Sequence, residues 1–228
     1  MKPQAEYYRN KLYPFQDKIL KIITGCKNNF YLTGGTALSR FYLNHRYSDD
    51  LDFFENNEEN FLEHSAIIIK ELQKGQISVE ILRKSNDFQR MICRDKELGI
   101  KMDFVNDVPY RTGIPERFPV FPRIDNWKNI LSNKITAIGR LEPKDVADIL
   151  FICRKYKFYW EDIFNEASKK AEYIDALDTS VIFTEFPIEY LKKINWVEEI
   201  DINTAYRDIQ RISKDILTKS ENGLSHNT

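Results

Sequence analysis

The chain has 228 residues, of which 42% are hydrophobic and 13% aromatic, which is enough apolar surface for one large or two small packed domains and excludes a disordered protein. Its 34 Lys and Arg residues are balanced by 35 Asp and Glu residues, so the net charge of -1 excludes a globally basic nucleic-acid-binding or membrane-surface protein. No apolar run has the length of a membrane span and the start MKPQAEYYRN lacks a signal-peptide pattern, so we expect a cytoplasmic protein without membrane contact.

The first quarter of the chain alternates between helical and strand patterns. Apolar residues at three-to-four spacing predict an amphipathic helix over residues 5–25. The short apolar run FYLT predicts a strand that stops at Gly34-Gly35, and TALSRFYLNH then resumes helical spacing. The stretch SDDLDFF returns to a period of two, which predicts a second strand.

The next segment continues the mixture of helix and strand. A helix is predicted from Phe61 to Leu72, followed by a β-branched strand, ISVEIL. FQRMICR and IKMDFV flank the short polar loop DKELG, which predicts a β-hairpin. The first half of the chain therefore has the pattern of an α/β (α+β) domain with a mixed sheet flanked by helices.

A change in composition marks the predicted domain boundary. Four prolines fall within PYRTGIPERFPVFP, and the patterns beyond it are helical, including a helix that opens at Pro143. We therefore predict an α/β domain over residues 1–122, a helical bundle over residues 123–219 and a disordered tail over residues 220–228.

Two aspartates in the second predicted strand indicate a metal site. In a strand Asp50 and Asp52 point to one face, whereas Leu51 and Phe53 point to the other, towards a core. Adjacent carboxylates repel, and a shared proton or a divalent cation relieves the repulsion. Mg²⁺, or Mn²⁺ in its place, suits such oxygen ligands, and Asp103 in IKMDFV is a candidate third carboxylate.

Neighbouring residues extend this predicted site. Gly34-Gly35 lies where a strand gives way to a helix, so backbone N–H groups there can hold a phosphate. If the strand begins early, Arg46 and Ser48 share the cleft side with the aspartates, and Arg46 is placed to clamp a phosphate with two hydrogen bonds. The alternative is a solvated edge strand preceded by an ordinary glycine turn.

These motifs, in this order, resemble a known family. GGTAL followed by HRYSDDLDFF, and later NKITAIGRLEPKDVADILFI, resemble the AbiEii (abortive infection) nucleotidyltransferase toxins of the DNA polymerase β-like nucleotidyltransferase superfamily. The resemblance covers roughly residues 5–160. It implies a minimal nucleotidyltransferase fold and a reaction in which an acceptor hydroxyl attacks the α-phosphate of an NTP and pyrophosphate leaves.

The resemblance also implies roles for individual residues. The triphosphate would be held by Gly34, Gly35 and Thr36. Asp50 and Asp52 would bind Mg²⁺.

Residues outside this first block have implied roles as well. Asp103 would act as third carboxylate or base, and Lys134 would contact the nucleotide. Asp145 or Asp148 would be the family's late acidic residue. The alternative for Lys134, Asp145 and Asp148 is that they lie on an ordinary solvent-facing helix surface, with Asp148 paired to Lys144 one turn earlier.

The expected partners follow from the same resemblance. They are an NTP, an RNA acceptor such as the 3′ end of tRNA, and the antitoxin of a toxin–antitoxin pair. The alternatives are transfer to a small molecule or a protein, a nucleotide-binding pseudoenzyme, and a glycosyltransferase. The glycosyltransferase is disfavoured because a metal-binding DxD motif of that class does not require the glycine turn one helix upstream.

Overall fold

The computed structural model describes residues 3–225, which divide into two compact units built from interleaved segments of the chain. Unit 1 contains the described residues up to Ala37 together with Tyr47–Pro109 and Ile114–Asp125. Unit 2 contains Leu38–Arg46, Tyr110–Gly113 and the described residues from Asn126 onward. The boundary predicted after residue 122 lies close to the last passage of the chain from unit 1 to unit 2.

Unit 1 begins with a long helical segment. It consists of α1 (Pro3–Tyr7), a π-helical turn (Tyr8–Leu12) and α2 (Tyr13–Gly25), which confirms the predicted helix. Its apolar face is buried, with Ile19, Leu20 and Ile23 fully inaccessible. Burial of this face is the main source of stability for such a helix.

A five-stranded mixed sheet forms the rest of unit 1. Its strands are β1 (Tyr31–Thr33), β2 (Leu51–Asn56), β3 (Ser78–Lys84), β4 (Phe88–Asp95) and β5 (Leu98–Asp107). Their order is β1-β2-β5-β4-β3; β2 and β5 run parallel, and the other neighbours are antiparallel. The mixed sheet and the β4–β5 hairpin are therefore as predicted.

Two helices connect the strands. The chain leaves β1 through α3 (Gly34–Ala37), which is continued by a π-helical segment (Leu38–Leu43) belonging to unit 2. α4 (Phe61–Lys74) links β2 to β3.

The two faces of the sheet differ in burial. Leu51, Phe53, Met102 and Phe104 are fully buried on one face, whereas Asp52 on the other is only partly covered. The predicted alternation along β2 is confirmed, but the strand begins at Leu51, so Asp50 lies just before it. One row of register partners crosses the sheet on the less covered face: Thr33, Asp52, Asp103, Arg90 and Arg83.

Unit 2 is helical, as the patterns beyond residue 122 predict. Its α-helices are α5 (Trp127–Ala137), α6 (Pro143–Lys155), α7 (Trp160–Ser168), α8 (Ala176–Thr184) and α9 (Ile202–Leu217). Short 3₁₀ turns cover Ile138–Arg140 and Ile188–Lys193. Pro143 occupies the first turn of α6, as expected. Among the described residues, no helix combines the length and the apolar character needed to cross a membrane.

The end of the chain differs from its prediction. Residues 226–228 of the predicted disordered tail lie outside the described residues. Residues 220–225 are instead held in place: Asn222 is buried, and its Nδ2 donates to the carbonyl oxygens of Cys153 (2.7 Å) and Tyr156 (2.8 Å) at the end of α6. A polar composition suggested disorder, but here the polar side chain satisfies helix-end carbonyls.

The substitution Asn222→Ala tests this contact. Removing the amide leaves the two carbonyls of α6 without this donor, so we expect the free energy of unfolding to fall by about 1–3 kcal/mol. Urea unfolding measures the change. Ser225→Ala is the matched control, because its hydroxyl makes only a 3.5 Å contact with the Asn222 carbonyl, and equal losses in both variants would contradict the assignment.

Candidate functional site

The turn after β1 lies directly against the predicted metal-binding carboxylate. Gly34 has a φ of +68°, which side-chain-bearing residues rarely adopt. A Cβ atom there would lie 2.7 Å from Oδ2 of Asp52, which is the register partner of Thr33 across β1 and β2. Glycine is therefore required both by the backbone conformation and by the close approach of Asp52.

Three carboxylates and two cations form one electrostatic cluster on this face of the sheet. Asp52 and Asp103 are register partners on parallel strands, and Asp50 precedes β2. Lys101 Nζ lies 2.6 Å from Asp50 Oδ2, and Arg90 donates two hydrogen bonds to Asp103, at 2.8 and 2.7 Å. Burial opposes the charge on Lys101, but the hydrogen bond to Asp50 and the negative charges of all three aspartates outweigh it and raise the pKa of Lys101.

The same carboxylates act on Arg90. Its hydrogen bonds to Asp103 raise the pKa of the guanidinium, and the charges of Asp52 and Asp50 add to the effect. The structure thus places Asp50, Asp52 and Asp103 in one electrostatic cluster and adds an arginine that the sequence analysis did not identify.

A different group of side chains has the closest metal-like geometry within residues 3–225. Potential ligand atoms of Glu55, Glu58 and His64 all lie within 4.8 Å of one another. Their atoms already have donors, however. Glu55 Oε1 accepts from the Asn29 backbone N–H (2.7 Å) and contacts His64 Nδ1 (2.8 Å), and Glu58 accepts from Asn60 and Asn29. These bonds tie loops to α4, so we assign the group a structural role.

The loop that carries Asp50 is held by a buried amide. Gln16 on α2 is fully buried, and its Nε2 lies 3.1 Å from the carbonyl oxygens of both Ser48 and Asp49. The hydroxyl of Tyr8 donates to Asp49 Oδ1 at 2.6 Å. Gln16 therefore provides a donor to two backbone carbonyls of this loop, and Tyr8 holds the Asp49 carboxylate.

Thr36 holds the next carbonyl of the same loop. Its Oγ1 contacts both the Asp50 carbonyl oxygen and Ser48 Oγ (2.9 Å). A carbonyl can only accept, so the Thr36 hydroxyl donates to Asp50, and Ser48 Oγ lies within hydrogen-bond distance of the same hydroxyl. Thr33, at the end of β1, similarly donates to the buried Asp125 at 2.7 Å.

A second cluster of predicted site residues lies within unit 2. Asp148 on α6 is fully buried and accepts hydrogen bonds from Arg46 at both oxygens, at 2.7 and 2.8 Å. Lys134 Nζ on α5 and His45 Nε2 each lie 2.7 Å from it. Burial opposes the charge on Asp148, but Arg46 and Lys134 outweigh it and hold its pKa well below the ordinary value.

The cluster extends to Asp145. This carboxylate accepts from Lys134 Nζ at 2.7 Å and from Arg140 at 2.8 Å. Burial opposes the charge on Lys134, but Asp148 and Asp145 outweigh it and raise its pKa. The structure therefore brings Lys134, Asp145 and Asp148 together in a buried ion-pair network and not on an ordinary solvated helix face.

Arg46 differs from its prediction. The sequence analysis predicts that Arg46 binds a phosphate with two hydrogen bonds. In the structure Arg46 is 3% exposed and makes its two hydrogen bonds to Asp148. The reason is that a fully buried carboxylate requires a charged partner. The signal was ambiguous because a guanidinium fork binds a carboxylate and a phosphate in the same geometry.

His45 is held neutral at one edge of this network. Burial lowers its pKa and outweighs the opposing effect of the hydrogen bond to Asp148. A neutral imidazole facing a charged carboxylate donates from Nε2, so Nδ1 carries no proton. Within the described residues Nδ1 has no hydrogen-bond partner.

The substitution Gly34→Ala tests the close approach to Asp52. Because of the positive φ and the 2.7 Å contact, we expect the free energy of unfolding to fall by more than about 1 kcal/mol. Gly139→Ala is the control, since a Cβ added at Gly139 would meet no atom within 4 Å, and we expect a change of about 0.5 kcal/mol or less. Urea unfolding of both variants measures the difference, and an unaffected Gly34→Ala protein would refute this geometry.

His45 is expected to make stability pH-dependent. Its pKa is lowered in the folded state, so the unfolded chain binds the proton first, and stability is lost as pH falls below the unfolded value of about 6.5. We expect His45→Gln, which keeps an N–H donor but does not titrate, to lose this part of the pH dependence. Urea unfolding between neutral pH and about pH 5 measures it, and identical slopes for the two proteins would contradict the expectation.

Comparisons with known proteins identify the family and the fold of the chain. The family described as nucleotidyl transferase AbiEii toxin, type IV toxin–antitoxin system, matches residues 22–194. An uncharacterised protein of Aquifex aeolicus (strain VF5), aq_aa25, is 33% identical over 168 residues, which cover 70% of this chain and 75% of that protein.

Two solved structures from Helicobacter pylori share the fold. A candidate nucleotidyltransferase superposes with a TM-score of 0.62 at 19% identity, covering 92% of this chain and 96% of that one. The protein JHP933 superposes with a TM-score of 0.59, also at 19% identity, covering 92% of this chain and 93% of that one. With the family match over residues 22–194, the chain belongs to the AbiEii nucleotidyltransferase toxin family and is a nucleotidyltransferase enzyme.

Proposed function

We propose that this nucleotidyltransferase transfers a nucleoside monophosphate from an NTP to an acceptor hydroxyl at the site of unit 1, with Mg²⁺ as its metal. The observation that carries the proposal is the contact between the Gly34 turn and Asp52, with Asp50 and Asp103 on the same face of the sheet. A tight glycine turn lets backbone N–H groups approach phosphates closely, and carboxylates suit the metal that accompanies them.

The carboxylates of the cluster have the type of ligand atom that a magnesium ion prefers. Asp50 and Asp52 offer hard oxygen ligands, and the three carboxylates of the cluster outnumber the two cations, Lys101 and Arg90, that pair with them. We assign the metal to Asp50 and Asp52. Both oxygens of Asp103 accept from Arg90, so its predicted part as a third ligand or as the base depends on release from that arginine.

The reaction places separate demands on the residues of unit 1. The oxygen of the acceptor hydroxyl forms a bond to the α-phosphorus and gives up its proton to a base or to solvent. The bond from that phosphorus to the bridging oxygen breaks, and pyrophosphate carries the electron pair away. The metal, when bound, neutralises phosphate charge and orients the reacting groups. Gly34, Gly35 and Thr36 would hold the triphosphate. The Thr36 hydroxyl also contacts Ser48 Oγ and the Asp50 carbonyl oxygen, which fixes the loop that carries Asp50.

We assign Lys134, Asp145 and Asp148 a positioning role within unit 2. Lys134 is 7% exposed and its ammonium pairs with both carboxylates, which supports a part in holding α5 against α6. A nucleotide contact for Lys134 stays a proposal that rests on the family resemblance.

The acceptor and the biological role belong to this proposal as well. We propose RNA, with the 3′ end of tRNA as the first acceptor to test, and a toxin acting in a toxin–antitoxin system with a cognate antitoxin, in keeping with the family. A small-molecule or protein acceptor is the alternative within the same chemistry.

Label transfer tests the proposal directly. The purified protein is incubated with total bacterial RNA, Mg²⁺ and each α-labelled NTP in turn. We expect label in RNA of tRNA size, and a loss of at least about 100-fold in Asp50→Asn and in Asp52→Asn, because each variant lacks a metal-binding charge. Asp95→Asn is the matched control, since this partly exposed carboxylate lies at the end of β4 and pairs with Lys18 at 2.7 Å.

The outcomes separate the parts of the proposal. Label in protein or in a small molecule, with RNA unlabelled, would replace the acceptor and keep the chemistry. Label that survives both substitutions would overturn the assignment of the metal to Asp50 and Asp52. Stabilisation of the protein against heat by an NTP only when Mg²⁺ is present supports the metal assignment independently of the acceptor.

A further inference from the structure

The face of the sheet that carries the carboxylates continues as a basic surface. From Asp52 and Asp103 the row of register partners runs on to Arg90 on β4 and Arg83 on β3. Phe88 lies two residues before Arg90 on the same face of β4, because side chains alternate along a strand. The sheet thus changes from acidic to basic across neighbouring strands.

Phe88 and the two arginines form a compact group. The guanidinium carbons of Arg83 and Arg90 lie 5.5 and 5.4 Å from the centre of the Phe88 ring. Arg83 is exposed, the Arg90 side chain is 41% exposed, and Phe88 is partly exposed. The partly exposed ring therefore lies at the surface beside two cationic side chains.

Arg83 differs from the other basic side chains on this face. Arg90, Arg94 and Lys101 are paired with Asp103, Glu80 and Asp50. Arg83, among the residues that the structure describes, has no carboxylate partner, and its contact is with the Phe88 ring. An exposed, unpaired guanidinium next to an exposed aromatic ring is the combination that binds phosphate and stacked base in single-stranded nucleic acids.

We propose that Arg83, Phe88 and Arg90 form the surface that receives a single-stranded RNA acceptor beside the carboxylates. A base stacks on Phe88, and a phosphate of the strand binds Arg83. The inference rests on the proposed function, which it deepens by assigning residues to the acceptor strand. Charge complementarity favours a polyanion here, and continuity with the carboxylate row directs the end of the strand towards them.

The position of Arg83 favours the acceptor strand over the NTP. Three strand steps separate it from Asp52 in the register row, which is about 14 Å at the usual spacing between strands. A phosphate bound by Arg83 therefore belongs to a nucleotide further along the acceptor than the one that reacts.

Binding of a short, fluorescently labelled single-stranded oligoribonucleotide, followed by anisotropy without Mg²⁺ or NTP, tests the surface alone. We expect Arg83→Ala to weaken binding roughly five- to tenfold and to reduce the slope of log affinity against log salt by about 0.7, the value for one lost phosphate contact. Lys84→Ala is the matched control, because Lys84 is an exposed cation next in sequence whose register partner, Gln89, is buried on the opposite face. We expect its affinity to stay within about twofold of the wild type.

Phe88→Leu tests the stacking contact while keeping an apolar side chain on β4. We expect weaker binding with an unchanged salt slope, because no charge is lost. Thermal unfolding of each variant shows whether the fold is retained. Equal binding by Arg83→Ala and Lys84→Ala would overturn the proposal, as would wild-type binding that does not depend on Arg83 or Phe88.

Steady-state label transfer separates this proposal from the proposed function. If both hold, Arg83→Ala raises the KM for RNA and leaves the KM for NTP unchanged. A rise in the KM for NTP alone would assign Arg83 to the nucleotide and overturn the acceptor surface. If the wild type transfers no label to RNA, the RNA acceptor of the proposed function fails, and the oligoribonucleotide experiment still decides whether this surface binds a single strand.

Discussion

The position of the carboxylates depends on how the irregular backbone before β2 is satisfied. The carbonyls of Ser48, Asp49 and Asp50 belong to the irregular segment that precedes the strand. Buried carbonyls need donors, and here they receive them from the side chains of Gln16 and Thr36. Because three successive peptide groups are held in this way, β2 begins at a defined residue, and Asp52 lies against a turn that has no side chain in its way.

The two clusters of charge show two ways of stabilising aspartates in one protein. In unit 2, Asp148 is removed from water and compensated by Arg46 and Lys134, so little of its charge is left to act on a ligand. In unit 1, Asp50 and Lys101 are both more than one third exposed, and their ion pair is weakened by water. A weak, accessible pair is readily exchanged for a metal ion, whereas a buried one serves to hold helices in place.

Much of unit 1 follows from local patterns in the sequence. The alternation around Asp50 and Asp52 identifies the strand and its two faces, and the glycine pair identifies the turn, since both depend on neighbouring residues. The loop DKELG also sets the register of the hairpin, because a two-residue turn at Lys96 and Glu97 pairs Arg90 with Asp103.

Other features depend on contacts that no local pattern encodes. Gln16 and Asp49 are 33 residues apart, so nothing near Gln16 shows that its amide serves a distant loop. The same holds for Arg46 and Asp148, whose pairing depends on the packing of unit 2 and not on the spacing of either residue with its neighbours. The sequence alone could not show which distant residues provide the hydrogen-bond partners of these buried polar groups.

The interleaving of the units has a consequence for synthesis of the chain. Leu38–Arg46 belongs to unit 2 but is synthesised before most of unit 1. Arg46 can form its ion pair only after Asp148, 102 residues later in the chain, has been synthesised. During that interval His45 and Arg46 have no buried carboxylate to hold them, and closing so long a loop costs entropy before any contact forms. The strands of unit 1 can therefore pair while the chain is still being synthesised, whereas unit 2 can fold only after its C-terminal helices have been made. Unit 2 is not encoded by one continuous segment of the sequence.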